Sequence, residues 1–289
     1  MKQRRGDESL SGRRHPRIRP APFLFLSLFL PFSFLEAADP DLQTQKSSRS
    51  NLSAATADVT IPQVRARIAH QIQVDGRLED WPDELPTYPI LTNVPAFGPT
   101  DLQGEDLTVS ADLSPTFRVC YDPEENLLYL AVRVRDEALV TGSDPWSTDA
   151  CEVYLSGDPA APEFTGDIRT ASAADLPVLQ YVGIPGKGTY GEGAGNPALC
   201  RGRIERTRTR MAYVREGDFT TYEWALEVFD HYPDRPARLI PGSIFGFDVV
   251  VVDKDGETDT PAWICWGPAL LRKYANPAAL GRLVLLGDD

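Results

Sequence analysis

Short runs of β-prone residues recur along the chain from about Arg67 and predict a β-rich domain. Alternation of apolar and polar residues is typical of strands that bury one face. The predicted strands are Ile68–Val74, Thr116–Tyr121, Leu127–Arg135, Ala150–Leu155, Val178–Ile184, Met211–Val214, Thr220–Phe229, Ile244–Val252, Trp263–Trp266 and Leu283–Leu286. Proline and glycine fill many connections between them, and no long amphipathic helix is indicated. We therefore predict an all-β domain over residues 67–289, an antiparallel β-sandwich of jelly-roll or immunoglobulin-like type.

The chain before residue 67 follows a different pattern. Basic residues precede the apolar run Phe23–Leu35, and small residues follow it. This order predicts a signal peptide over residues 1–38, with an uncleaved anchor as the alternative. Residues 39–66 are rich in Ser, Thr, Ala, Gln and Asp without an apolar period, which predicts a flexible linker. We expect an exported protein (extracellular, periplasmic or on the cell surface) with no stable membrane insertion once the leader is removed.

Charge narrows the classes of partner. The chain has 29 Lys and Arg against 42 Asp and Glu, a net charge of −13. Removal of the basic leader makes the remainder more negative still. Because binding to nucleic acid depends on neutralising phosphates with basic residues, a nucleic-acid partner is disfavoured. The familiar serine-hydrolase, zinc-protease, redox-cysteine and phosphate-loop motifs are absent from the sequence, so we expect a protein that is not an enzyme.

One predicted strand carries candidate sugar contacts. Alternation over Ala150–Leu155 places Glu152 and Tyr154 on one face, opposite Cys151, Val153 and Leu155. The polar loop before this strand holds Trp146. An indole can stack on the apolar face of a pyranose, while a carboxylate accepts hydrogen bonds from its hydroxyl groups. Ordinary packing of these aromatic residues is the alternative interpretation.

Several short motifs also occur in a fixed order along the predicted domain. They are Gln73–Trp81, Val119–Asp122, Asn126–Asp136, Pro145–Leu155, Tyr222–Leu226, Ile244–Asp255, Ile264–Pro268 and Gly281–Leu285. Each is short, but the ordered set resembles family 9 carbohydrate-binding modules over about residues 67–287. The resemblance implies a sandwich that binds polysaccharide or oligosaccharide without cleaving it, in polysaccharide recognition or catabolism. We expect such a module to be a monomer.

The resemblance also implies roles for individual residues. In sugar-binding relatives two tryptophans enclose a terminal sugar and a glutamate binds its hydroxyl groups. Trp146, Trp266 and Glu152 match those positions. Gln180 stands where relatives have an arginine, and Val250 stands where they have a polar amide, so the ligand can differ from theirs. With Tyr154, these residues give a candidate carbohydrate-binding set of Trp146, Glu152, Trp266, Gln180 and Tyr154.

An acidic loop offers a candidate metal site. Asp253, Asp255 and Glu257 place carboxylates around a glycine turn, and calcium prefers such oxygen ligands. Relatives carry structural calcium, which the resemblance therefore implies here as well. A solvated acidic loop without metal is the alternative. No organic cofactor is expected.

The four cysteines, Cys120, Cys151, Cys200 and Cys265, allow three disulfide pairings. Export makes disulfides possible. Cys151 and Cys265 each precede a proposed sugar-facing residue, so we expect them to be near neighbours that point inward from one sheet.

Alternative functions come from other classes of protein. Related sandwiches bind haem in electron transfer, although Met211, His70, His231 and a few lysines are the available axial ligands. An adhesion or scaffold module with a vestigial groove would explain the substitutions at Gln180 and Val250. A glycosidase using paired carboxylates is the least favoured alternative.

Overall fold

The computed structural model describes residues 61–94, 113–142, 148–185, 192–194, 196–256, 261–268 and 272–287. Within these ranges the protein is all-β, as predicted, with single-turn 3₁₀ helices at Ala173–Asp175, Ile204–Arg206, Lys273–Ala275 and Pro277–Ala279. No helix among the described residues is long and apolar enough to cross a membrane.

The strands, in chain order, are β1 (Gln63–Ile68), β2 (Tyr88–Pro89), β3 (Thr92–Val94), β4 (Thr116–Asp122), β5 (Leu127–Arg135), β6 (Ala150–Ser156), β7 (Leu179–Ile184), β8 (Glu192–Ala194), β9 (Asn196–Leu199), β10 (Arg210–Glu216), β11 (Phe219–Leu226), β12 (Phe229–His231), β13 (Arg235–Pro236), β14 (Ile244–Asp253), β15 (Ala262–Cys265) and β16 (Gly281–Leu285).

Two sheets are joined through β1 into a sandwich that is nearly closed like a barrel. Sheet I has the order β8-β10-β11-β5-β4, with β2 beside β4, and sheet II has the order β16-β14-β6-β7-β9. The strand β15 pairs with β14 and with β3. β1 is parallel to β16 over Gln63–Ala66 and parallel to β4 at Arg67 and Ile68, so the sheet is mixed and not purely antiparallel. The jelly-roll description stays a prediction.

The core lies between the inner faces of the two sheets. Its fully buried side chains include Val64, Val119, Leu130, Val153, Trp224, Phe247 and Leu283. Each such side chain contributes about 1.5–3 kcal/mol relative to an exposed one. In β6, Cys151, Val153 and Leu155 point into this core, which agrees with the predicted alternation. The other residues of β6, including Glu152, therefore lie on the outer face of sheet II.

A buried carboxylate holds the loop around the Asp75–Trp81 motif against sheet I. Glu223 of β11 accepts hydrogen bonds from the backbone N–H groups of Asp75 (2.8 Å) and Gly76 (2.7 Å). Its other oxygen accepts one from the Trp81 indole N–H at 2.8 Å. Gly76 has φ +87°, and a Cβ there would lie 2.6 Å from the carbonyl carbon of Tyr213. Only glycine fits this close approach between the loop and β10. The motif therefore serves the fold.

The first strand lies earlier than predicted. The expected strand Ile68–Val74 is replaced by β1 at Gln63–Ile68, where Val64 and Ala66 are buried and their neighbours are exposed. Gln71 has a left-handed conformation, with φ 65°, which ends extended structure before Val74. Ile72 instead packs with Trp81 in a smaller cluster on the outside of sheet I.

The expected proximity of Cys151 and Cys265 is wrong. Both flank β14, but Cys151 lies opposite Val251 and Cys265 lies opposite Val250. Because adjacent strand residues point to opposite faces, Cys151 faces the core and Cys265 faces outward. β14 also separates them. All four cysteines of the chain lie among the described residues, and all are free thiols.

Candidate functional site

The centre of the candidate site is Glu152, on the outer face of sheet II. Its cross-strand neighbours are Val250 on β14 and Val182 on β7. The Oε2 atom accepts hydrogen bonds from the Tyr154 hydroxyl at 2.6 Å and from the Gln180 side-chain amide at 3.2 Å. The structure therefore brings together three of the residues predicted to bind sugar.

The second carboxylate oxygen of Glu152 makes this group unusual. The residue is only 1% exposed, and Oε1 has no hydrogen-bond partner among the described residues. Burial raises the pKa of Glu152 to about 7, and the hydrogen bonds from Tyr154 and Gln180 oppose that rise. An unsatisfied buried polar atom costs about 1–3 kcal/mol, and more when charged. A ligand hydroxyl that donates to Oε1 would remove this cost.

Trp263 is a partly exposed aromatic residue on this face. It lies on β15 opposite Val252 of β14. Two residues back along β14, Val250 lies between Cys265 of β15 and Glu152 of β6. The Trp263 side chain packs on two outer-face clusters, one of which contains Tyr154 and the other Val182. The sequence reasoning did not choose Trp263. The alternation within Ala262–Cys265 could have found it, since Trp263 and Cys265 share a face and Ile264 points to the core.

Trp266 lies elsewhere, at the edge of the core. Its ring centre is 5.7 Å from that of Phe117 and 5.8 Å from that of Phe247, on the inner faces of the two sheets. A Cβ at Gly281 would lie 2.3 Å from the indole, so this glycine leaves room for it. The structure does not bring Trp266 to Glu152. Trp146 lies outside the described residues.

A buried ion pair, Asp248–Lys273, lies next to Tyr154 on the outer face of sheet II. Asp248 of β14, opposite Tyr154, has an oxygen 2.6 Å from the ammonium nitrogen of Lys273, and both side chains are buried. Its other oxygen accepts the N–H of Gly267 at 2.7 Å. Lys273 also donates to the carbonyl of Pro268. Burial raises the pKa of Asp248, and the charge of Lys273 is the largest opposing effect. The pair ties the segment after β15 to the sheet.

Three carboxylates meet where β5 and β14 end. Oxygens of Asp136, Asp253 and Asp255 all lie within 4.8 Å of one another. Two oxygens that each bind one calcium ion at 2.3–2.6 Å are at most about 5 Å apart, so this spacing fits calcium. The structure thus brings together the predicted Asp253 and Asp255, and it adds Asp136, which the sequence reasoning missed. Glu257 lies outside the described residues.

A buried acid, Asp149, holds the chain between the Glu152 face and the three carboxylates. Asp149, just before β6, accepts the backbone N–H of Val140 at 2.6 Å and that of Lys254 at 2.8 Å. Burial raises the pKa of Asp149 to about 8, and the nearby charges of Asp136 and Asp253 add to the rise. These bonds hold the start of β6, and hence Glu152, beside the end of β14.

A comparison with known families identifies the class of this fold. The family model described as carbohydrate family 9 binding domain-like matches residues 93–288. The chain therefore belongs to this family, which is a family of binding modules. A comparison with curated proteins gives no match.

Solved structures with a similar fold include a family 9 carbohydrate-binding module from Caldicellulosiruptor kristjanssonii. Its complex with cellotriose has a TM-score of 0.55 and 16% identity, covering 79% of this chain and 95% of that chain. Its complex with glucose has a TM-score of 0.55 and 17% identity, covering 79% and 97%. At this level of identity the likeness concerns the fold.

Proposed function

We propose that this protein binds carbohydrate on the outer face of sheet II and does not transform it. The observation that carries the proposal is the buried Glu152 carboxylate, with no partner for Oε1 among the described residues, on the same outer face as the partly exposed indole of Trp263. A sugar hydroxyl would donate to Oε1, and the apolar face of the ring would stack on the indole. Trp146, four residues before β6 in the sequence, is proposed as a second aromatic wall from its sequence position alone.

Tyr154 and Gln180 are proposed to position the carboxylate. Both donate to Oε2, so they fix the carboxylate plane and leave Oε1 for the ligand. With a pKa of about 7, Glu152 has both protonation states populated near neutral pH. It can therefore accept a hydrogen bond from a sugar hydroxyl or donate one to it. The Gln180 side-chain carbonyl adds an acceptor on the same face.

The first ligand to test is a gluco-oligosaccharide. The similar module from C. kristjanssonii is known in complex with cellotriose and with glucose. We propose the same class of ligand here. Val250 and Gln180 line the region around Glu152 in place of more polar residues, so specificity for linkage or chain end would be set locally.

Glu152→Gln tests the carboxylate with little change of shape. We expect the affinity for cellotriose, measured by isothermal titration calorimetry, to fall about 10- to 100-fold. A hydrogen bond to a charged group is worth about 1.5–3 kcal/mol, and each 1.4 kcal/mol is tenfold. Glu205→Gln, at an exposed site, is the matched control and should bind normally. Wild-type affinity in a folded Glu152→Gln protein would contradict the proposed site.

We further propose that Asp136, Asp253 and Asp255 hold a structural calcium ion, with Glu257 as a further candidate ligand. The support is the spacing of the three carboxylates. Bound calcium would join the end of β5 in sheet I to the end of β14 in sheet II and offset the repulsion between these acids.

Calcium is accordingly expected to raise the melting temperature by several degrees. Ligand at 100 times its dissociation constant stabilises a fold by about 2.7 kcal/mol. Differential scanning calorimetry with calcium and with a chelator would measure this. Asp255→Asn should reduce the response, whereas Asp83→Asn, an exposed control, should retain it. A melting temperature that calcium does not change would refute the site.

Export is proposed on the sequence pattern alone. The basic, apolar and small-residue segments of residues 1–38 support a signal peptide, and residues 39–66 support a linker. An exported binding module would meet polysaccharide outside the cytoplasm and hold it for recognition or catabolism.

A further inference from the structure

A cavity lies on the outer face of sheet I, on the other side of the sandwich from Glu152. It has a volume of about 380 Å³ and lies between the sheet and the loop held by Glu223. Small-molecule sites commonly have volumes of about 300–1,000 Å³. We call this cavity the arginine cleft, because Arg77, Arg118 and Arg133 line it together with Thr116, Thr221 and Phe219.

The strand register creates the cleft. Arg118 on β4 lies opposite Ala131 on β5, and Arg133 lies opposite Thr116. Residues that face each other, or lie two positions apart, share one face of the sheet. Two guanidinium groups therefore project from one face at diagonal positions. The small side chains of Ala131 and Thr116 leave space between them.

Neither of these two arginines is neutralised within the described part of the chain. Arg118 donates one hydrogen bond, from Nε to the Thr87 hydroxyl at 3.1 Å. The Arg133 guanidinium carbon lies 4.0 Å from the centre of the Phe219 ring. No carboxylate there lies within 4.0 Å of either guanidinium, although acids outnumber bases 42 to 29 in the chain. The two guanidinium groups therefore add unneutralised positive charge to this face, which an added anion would offset.

The surroundings favour an anion that also carries hydroxyl groups. Stacking on Phe219 holds the Arg133 guanidinium in a fixed plane, and guanidinium groups bind carboxylates through paired hydrogen bonds. Thr116 and Thr221 supply hydroxyl groups within the cleft, and Glu79 and Glu216 supply acceptors near its rim. Glu216 also pairs with Arg77 at 3.5 Å. A simple anion would use only the guanidinium groups.

We propose that the arginine cleft is a second saccharide-binding site, specific for a sugar unit that carries a carboxylate, as in a uronic acid. The carboxylate binds Arg118 and Arg133, and the ring hydroxyl groups bind the threonine and glutamate side chains. This site is separate from the Glu152 face and does not depend on it.

The test is NMR titration of the folded protein with D-glucuronate, D-glucose, acetate and sulfate. We expect D-glucuronate to shift the signals of Thr116 and Thr221, with at least tenfold weaker binding in Arg118→Gln/Arg133→Gln. Glu152→Gln should retain this binding, and so should Arg169→Gln, a control whose exposed arginine pairs with Asp167. Arg118→Lys/Arg133→Lys keeps the charge and should recover part of the affinity at most, because lysine lacks the planar fork.

Three results would overturn the proposal. The first is no D-glucuronate binding at these signals. The second is equal binding of acetate or sulfate, which would show an anion site without sugar specificity. The third is D-glucuronate binding that is lost in Glu152→Gln and kept in the double arginine variant, which would place the sugar on the other face. Failure of cellotriose to bind the Glu152 face would leave the D-glucuronate result unaffected, so the two proposals are tested separately.

Discussion

Trp263→Ala is expected to weaken cellotriose binding by at least tenfold while the protein stays folded. Trp263 is partly exposed on the same face as Glu152, so its removal takes away the stacking surface and little of the core. Aromatic residues at the centre of a binding site typically contribute about 2 kcal/mol or more. Isothermal titration calorimetry gives the affinity, and urea denaturation gives the stability.

Trp266→Ala provides the contrasting variant, and its expected effect is on the fold. The partly buried indole packs on Phe117 and Phe247, so its truncation should cost at most about 3–5 kcal/mol, the range for a fully buried tryptophan. The remaining folded protein should bind cellotriose normally, and Trp266→Phe should recover much of the stability. Loss of binding in a stable Trp266→Ala protein, together with normal binding by Trp263→Ala, would move the sugar platform to Trp266.

Lys273→Met is expected to lower the free energy of unfolding by about 3–5 kcal/mol. The substitution leaves the Asp248 carboxylate buried without its cation. Because burial already raises the pKa of Asp248, removing the lysine should raise it further. The folded state would then favour the protonated acid, so the loss of stability should grow as pH rises. Urea denaturation at several pH values measures this.

A double variant separates the uncompensated charge from lost packing. Asp248→Asn/Lys273→Met removes both charges and keeps a side-chain oxygen to accept the Gly267 N–H. We expect it to recover most of the stability and to lose the pH dependence. A Lys273→Met protein within about 1 kcal/mol of wild type would show that Asp248 reaches water or another cation.

Much of the fold could be predicted because its strands alternate clearly. The central strands β5, β6 and β14 lie close to their predicted ranges, since apolar residues mark one face of each. The position of β1 was missed because a left-handed residue, Gln71, interrupts an otherwise β-prone run. Its parallel pairing with two strands depends on tertiary packing and has no local signal.

In the candidate site, too, features with a local sequence signal could be predicted, and features set by tertiary packing could not. Alternation within one strand placed Glu152 and Tyr154 on a common face, and the resemblance added Gln180. Trp266 was chosen by aligning a short motif, and its role in sugar binding stays a prediction; the structure places it against Phe117 and Phe247, on the opposite face from Trp263. Asp136 joins Asp253 and Asp255 only through folding, because it lies on the other sheet and far away in sequence. The arginine cleft depends on strand register, which the sequence pattern does not specify.

The indole N–H signals of the five tryptophans provide the most direct test that sugar binds on the Glu152 face. A ¹⁵N NMR titration with cellotriose follows each indole separately, after assignment by single substitutions. We predict a saturable shift of the Trp263 signal, with the signals of the buried Trp224 and of Trp266, which packs on the core, nearly unchanged. A shift of the Trp266 signal without one at Trp263, or no shift of any indole signal at saturating cellotriose, would contradict the proposed binding face.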